Sequence, residues 1–226
     1  MTLLVKICGL RTPETLEAAL DAGADLVGFV FFPLSPRHVQ SATAEELGAV
    51  AHGRAVKVAL TVDADEALLD SIATNLRPDV LQLHGRESPA RVSAIKERFG
   101  LPVMKAIPVE LESDLALVAD YAGVADRLLF DARAPREATR PGGLGRRFDW
   151  RLLQNIDPGI PFMLSGGLDA ENIEEALRLT RAGGVDVSSG VERAPGEKDI
   201  EKIHAFVRAA RNAAGTISSR SVVDAA

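Results

Sequence analysis

The feature that most constrains this chain is an alternation. Short apolar runs rich in Val, Ile, Leu and Phe recur eight times, at residues 3–8, 26–32, 55–62, 79–84, 102–108, 127–131, 161–165 and 184–188. They show little polar alternation, the pattern of strands buried on both faces in a parallel sheet. Eight stretches of helical character separate and follow them. Leu16, Ala19, Leu20 and Gly23 are spaced i, i+3, i+4, i+7 on the first; Leu68, Leu69 and Ile72 mark the third. Ile173, Ala176 and Leu177 mark the seventh, and Ile200, Ile203, Val207 and Ala210 the eighth. Thr12-Pro13-Glu14 and Ser88-Pro89 are helix starts, and Thr43 with Glu46 reads as a capping box. Eight strand–helix units with no break in composition predict a single-domain α/β protein, a (β/α)8 barrel. A doubly wound sheet is the alternative, but Cys8-Gly9-Leu10 after the first strand is not the glycine-rich turn that fold uses for dinucleotides. The barrel is expected over residues 1–213, with 214–226 a loose tail, because the residues after Gly215 are mostly small or polar and lack an evident stripe.

Composition narrows the function. With 226 residues the chain can bury one substantial core. A net charge of -6 and a pI near 5.3 argue against general nucleic-acid binding. A single cysteine excludes an internal disulfide, and no paired Cys/His spacing suggests a metal. No apolar run is long enough to span a bilayer and the N-terminus lacks a basic-then-apolar signal, so a cytoplasmic, membrane-free protein is expected.

Chemistry in a parallel barrel sits where strands end and loops begin. Cys8 stands there after the first strand, Asp131 after Leu128-Leu129-Phe130, and His84 after Val80-Leu81-Gln82-Leu83. In Phe32-Pro33-Leu34-Ser35-Pro36-Arg37 two prolines stiffen the backbone around an arginine, a way to aim a guanidinium at a carboxylate. A solvated arginine on a stiff surface loop is the plainer alternative. The longest loop runs on from Asp131 through Gly142-Gly143-Leu144-Gly145-Arg146-Arg147, basic and glycine-rich, as suits a lid or an anion cradle. Ser165-Gly166-Gly167 and Ser188-Ser189-Gly190 end strands seven and eight, where barrels often bind phosphate. Lys6, Lys57 and Lys105 lie within strands, and nothing beside them in sequence singles one out. There is no dinucleotide fingerprint and no metal cluster, so no cofactor is expected. A thiol and a carboxyl from nearly opposite strands can flank one substrate, one adding a proton and the other removing one. The residues therefore suggest a cofactor-free phosphosugar isomerase or lyase.

A resemblance sharpens this. Lys6-Ile7-Cys8-Gly9-Leu10, Ser35-Pro36-Arg37, Gln82-Leu83-His84-Gly85, Asp131, Gly145-x-x-Phe148-Asp149-Trp150, Ser165-Gly166-Gly167-Leu168 and Val185-Asp186-Val187-Ser188-Ser189-Gly190-Val191-Glu192 together resemble the phosphoribosylanthranilate isomerases of tryptophan biosynthesis. The match runs in order from residue 3 to about 210. One departure is Leu144, which stands where that family usually has Thr or Ser. The resemblance implies an Amadori rearrangement of a small phosphosugar substrate; the charged helix faces suggest a monomer or homodimer. The resemblance implies Asp131 as general acid and Cys8 as general base, a role a thiolate fills if positive surroundings lower the thiol's pKa. It further implies Arg37 on the anthranilate carboxylate, His84 and Asp186 as substrate-binding residues, and phosphate held at Gly143, Gly145, Gly166, Gly167, Ser188, Ser189 and Gly190. The related isomerase of histidine biosynthesis uses an aspartate in place of Cys8 and shows half-barrel repetition that this chain lacks. An indole-glycerol-phosphate-synthase-like lyase would need catalytic lysines. A catalytically silent phosphosugar-binding barrel would have no need of Cys8 and Asp131.

Overall fold

The computed structural model describes residues 2–223, with side chains of the last helix as far as 217. Eight parallel strands close into a barrel in the order β1 to β8: Leu4–Cys8, Leu26–Phe31, Val56–Thr61, Val80–Leu83, Val103–Val109, Arg127–Ala132, Phe162–Leu164 and Gly184–Val187. Each lies within one or two residues of an apolar run read from the sequence. Closure is made by β1 and β8, where Lys6 stands in register with Asp186.

Strand parity sorts the side chains between two cores. Leu26, Val58, Met104, Ala106, Leu129 and Met163 fill the barrel interior. Val5, Ile7, Val27, Phe29, Ile107, Phe130 and Val185 face the helices. Packing in the interior is close enough to dictate a residue on β2. A Cβ at Gly28 would lie 2.9 Å from the Cys8 sulfur and 3.2 Å from Cε of Lys6, so only glycine leaves room for both.

The helices are α1 Pro13–Asp21, α2 Ser41–Ala51, α3 Glu66–Asn75, α4 Pro89–Phe99, α5 Leu117–Ala122, α6 Ile173–Thr180 and α7 Ile200–Val223. Thr12 caps α1, accepting from Thr15 N, and Ser88 caps α4, accepting from Arg91 N. Thr43 and Glu46 form no capping box; α2 already begins at Ser41, after an uncapped Gln40. The expected eight α-helices are seven among the described residues. After β6 there is only a 3-10 turn, Trp150–Leu153, capped by Asp149. The long loop uses the length a helix would need, and Pro158 and Gly159 (φ 71°) stop any extension toward β7.

The tail is the other correction. Helix α7 passes residue 213 and continues to Val223, so residues 214–223 are helical rather than loose. Ala210, Ala213, Ala214 and Ile217 continue the i, i+3, i+4, i+7 stripe against the core with small residues that hide it. The part of the expected tail at 224–226 lies outside the described residues. A short antiparallel hairpin, β9 Glu192–Ala194 and β10 Glu197–Lys198, sits between β8 and α7. No described helix is long and apolar enough to cross a membrane.

Candidate active site

The carboxyl-terminal ends of the strands open on one cavity lined by Cys8, Arg37, His84, Asp131, Gly143, Gly145, Gly166, Gly167, Asp186, Ser188 and Ser189. Gly190 is the one residue expected at the site that does not line it. It passes so close to the Leu168 carbonyl that any side chain would collide with that backbone.

Cys8 is buried on the interior face, two residues after Lys6. The Lys6 ammonium lies 2.9 Å from Asp186 Oδ1 and also faces the Cys8 sulfur. Burial works against the Lys6 charge, but Asp186 and Cys8 outweigh it and hold Lys6 above its ordinary range. For Cys8 the balance goes the other way. Burial pushes the thiol up, Asp186 adds to this, and Lys6 and Lys198 recover only part, so it titrates above its ordinary 9.0. The lowering of the thiol by positive surroundings is therefore not met: the cations are present, but desolvation exceeds them. Asp186 Oδ2 accepts from Ser165 Oγ at 3.2 Å, so both its oxygens are engaged within the barrel.

Asp131 is buried across the mouth. Its Oδ1 accepts from Ala132 N at 2.9 Å, and its Oδ2 lies 3.1 Å from His84 Nε2. The Gln82 amide nitrogen meets His84 Nδ1 at 3.0 Å. In this arrangement Nδ1 accepts, and Nε2 carries the proton directed at Asp131.

Arg37 is not a solvated surface residue. It is 4% exposed, and its Nε and Nη2 grip Glu192 Oε1 and Oε2 at 2.7 and 2.8 Å. Nη2 also donates to Gly143 O at 3.0 Å. Lys198 Nζ holds Glu192 from the other side at 2.8 Å and donates to Ser188 O. Burial alone would raise Glu192, yet Arg37 and Lys198 hold it below the ordinary carboxylate range. Burial likewise lowers Lys198 to about 8 against the pull of Glu192. Ser188 Oγ donates to Cys8 O at 3.0 Å, so this hydroxyl ties β8 to β1.

The long loop is shared between two ends of the cavity. Gly145 faces Ser189, and Arg146 and Arg147 lie against Gly167, near the turns of β7 and β8. Gly142 lies over Asp131 and His84, and Gly143 over Arg37. Gly143 thus stands apart from the other glycines grouped with it in the sequence.

Sequence reasoning passed over Lys6, Glu192 and Lys198 as site residues. Lys6 had a signal: it shares strand parity with Cys8, whereas Lys57 and Lys105 share parity with residues that face the helices. Glu192 and Lys198 had none, since a hairpin outside the strand–helix pattern carries them to Arg37.

Fold and rim chemistry together define an isomerase of the (β/α)8 barrel class. Within that class the chain belongs to the N-(5'-phosphoribosyl)anthranilate isomerase family, whose model, described as "N-(5'phosphoribosyl)anthranilate (PRA) isomerase", matches residues 5–209. An N-(5'-phosphoribosyl)anthranilate isomerase of Bradyrhizobium sp. is 67% identical over 213 residues, covering 94% of this chain and 97% of the relative. The crystal structure of phosphoribosyl anthranilate isomerase from Thermotoga maritima is 33% identical with a TM-score of 0.84, covering 93% of this chain and all (100%) of that one. A phosphoribosyl anthranilate isomerase solved with reduced 1-(o-carboxyphenylamino)-1-deoxyribulose 5-phosphate is 32% identical with a TM-score of 0.82, with the same 93% and 100% coverage.

Proposed function

We propose that the chain performs its family's Amadori rearrangement, N-(5-phosphoribosyl)anthranilate to 1-(2-carboxyphenylamino)-1-deoxyribulose 5-phosphate, with Asp131 as general acid and Cys8 as general base. The observation that carries the assignment is that a lysine-flanked thiol and a histidine-linked carboxyl face one cavity. The complex of a related barrel with the reduced product supports the ligand class.

Protonated Asp131 donates to the furanose ring oxygen as the C1–O bond breaks, leaving an iminium. The iminium acidifies the C2 hydrogen, which the Cys8 thiolate removes to give an enolamine. Tautomerisation moves one proton from the enol oxygen to C1, so no net oxidant is consumed. Lys6 stabilises the thiolate, and the cationic iminium adds to this once substrate is bound. The hydroxyl and backbone groups around Gly145, Gly166, Gly167, Ser188 and Ser189 receive the phosphate, and Arg37 the aryl carboxylate. The enzyme acts in the cytoplasm as a monomer or homodimer.

The test is a fluorescence assay with freshly made phosphoribosylanthranilate. Cys8→Ser and Asp131→Asn are each expected to lower kcat by about 10²- to 10⁴-fold with the fold retained. Near-normal turnover in Cys8→Ser would sink the base assignment, and well-folded wild type without turnover would sink the activity.

A further inference from the structure

Arg140, in the loop after β6, forms no ion pair among the described residues. It lines the cavity beside Arg37, Asp131 and Gly143. Its Nε is buried with no hydrogen-bond partner, the only lysine or arginine nitrogen so placed among the described residues. Glu192, the carboxylate whose charge acts on Arg140, is already gripped by Arg37 and Lys198. Three cations thus converge on one carboxylate, and burial together with the Arg37 charge weakens the hold of Arg140 on its proton. A guanidinium whose Nε is enclosed without a partner, beside a second guanidinium, is costly unless an anion enters between them.

The cavity tells which anion. The loop runs from Arg140 past Gly143 on Arg37 to Gly145 on Ser189 and Arg147 on Gly167. Arg140 therefore stands at the Arg37 end, away from the turns of β7 and β8. Arg37 gives Nε and one Nη2 hydrogen to Glu192 and the other Nη2 hydrogen to Gly143 O. The Gly143 carbonyl is an oxygen acceptor in the place a carboxylate oxygen can take.

We propose that Arg140 is a second binding residue for the aryl carboxylate of the substrate, closing on it opposite Arg37 as the Gly143 carbonyl gives way. The proposal rests on the isomerase reading above. It makes Arg140 specific for the carboxylate and indifferent to the phosphate.

Two stable probes separate the alternatives: the reduced product and its counterpart with a plain phenylamino group in place of the 2-carboxyphenylamino group. Their Kd values are measured by fluorescence titration on wild type, Arg140→Met and Arg140→Lys, each checked for unchanged Tm. Wild type should prefer the carboxylated probe. Arg140→Met should weaken that probe about 10- to 100-fold and the plain one less than about twofold, since a hydrogen bond to a charged group is at stake. Arg140→Lys should restore part of the loss, and KM should rise in Arg140→Met far more than kcat falls. Equal weakening of both probes would overturn the proposal and make Arg140 a loop anchor. Competition by inorganic phosphate that weakens in Arg140→Met, with no discrimination between probes, would overturn it in favour of a phosphate contact. A wild type that binds both probes alike would overturn the carboxylate reading of Arg37 as well, while turnover of phosphoribosylanthranilate would still stand or fall on its own.

Discussion

Lys6 and Lys105 are both strand lysines buried to within 2% of full enclosure, and both are ion-paired, but they sit on opposite faces of the barrel wall. Lys105 shares parity with Val103 and Ile107 and faces the helix layer. Its Nζ donates to Leu83 O, Gly85 O and Glu87 Oε2 at 3.2, 2.7 and 3.0 Å, and it stands 5.4 Å from the Tyr121 ring centroid. All three of its protons are taken, so it braces the loop that follows His84. Lys6 shares parity with Cys8 and faces the interior. Asp186 takes one proton at 2.9 Å, and the ammonium still faces the sulfur. A buried lysine whose donors are all met by fixed acceptors is structural. One with capacity left beside a group that changes charge can take part in chemistry.

Substitution of the two lysines sharpens this contrast. The largest effect is expected for Lys6→Met: kcat near neutral pH should fall about a hundredfold or more, because a cation a few ångströms from the thiolate is lost. Lys105→Met should leave the pH dependence of kcat/KM in place; a shift as large as that of Lys6→Met would break the comparison. Next in size is stability. Each substitution strands a buried carboxylate and should cost about 3–5 kcal/mol in denaturant titration, and Lys105→Met with Glu87→Gln should recover much of it. Third is the wild-type pH profile. Because the Cys8 thiol titrates above its ordinary 9.0, its thiolate fraction grows with rising pH, and kcat/KM should climb from neutral into alkaline pH. In Lys6→Met the climb should move to still higher pH. A profile flat between pH 6 and 9, about as wide a range as the protein should bear, would contradict the raised thiol. The smallest effect concerns Glu192. Its folded-state pKa is depressed, so its contribution to stability is present above the ordinary carboxylate value and is lost as pH falls through the folded one. Glu192→Gln should flatten the acid side of the stability curve, read as Tm against pH.

How legible was this in the sequence? The barrel was, because β2 as Leu-Val-Gly-Phe-Val-Phe and its seven counterparts are apolar on both faces, a local signal that tertiary packing does not overturn. The gathering of Cys8, His84, Asp131 and Asp186 at one mouth followed from their place at strand ends. The rest depended on contacts that no local pattern records. Arg37 and Glu192 are 155 residues apart and meet only through the β9–β10 hairpin. The sign of the thiol shift depends on how fully Cys8 is enclosed, and a count of neighbouring cations alone suggests the opposite. The end of α7 was hidden by a stripe of alanines that reads as featureless until it lies against the core.

The closure between β1 and β8 has a consequence in time. Lys6 and Cys8 are made well before Asp186 and Ser188, which fix them and come about 180 positions later. Arg211 of α7 then reaches back to the Leu3 carbonyl and to Asp25. Until that stretch is made, the first strand has one edge bare and its lysine has no counterion. Such long-range pairing is slow to form and leaves an open sheet edge while it waits. A chain ending before β8 lacks Asp186 and Ser188, so the surroundings of the base are complete only when the two ends of the barrel have met.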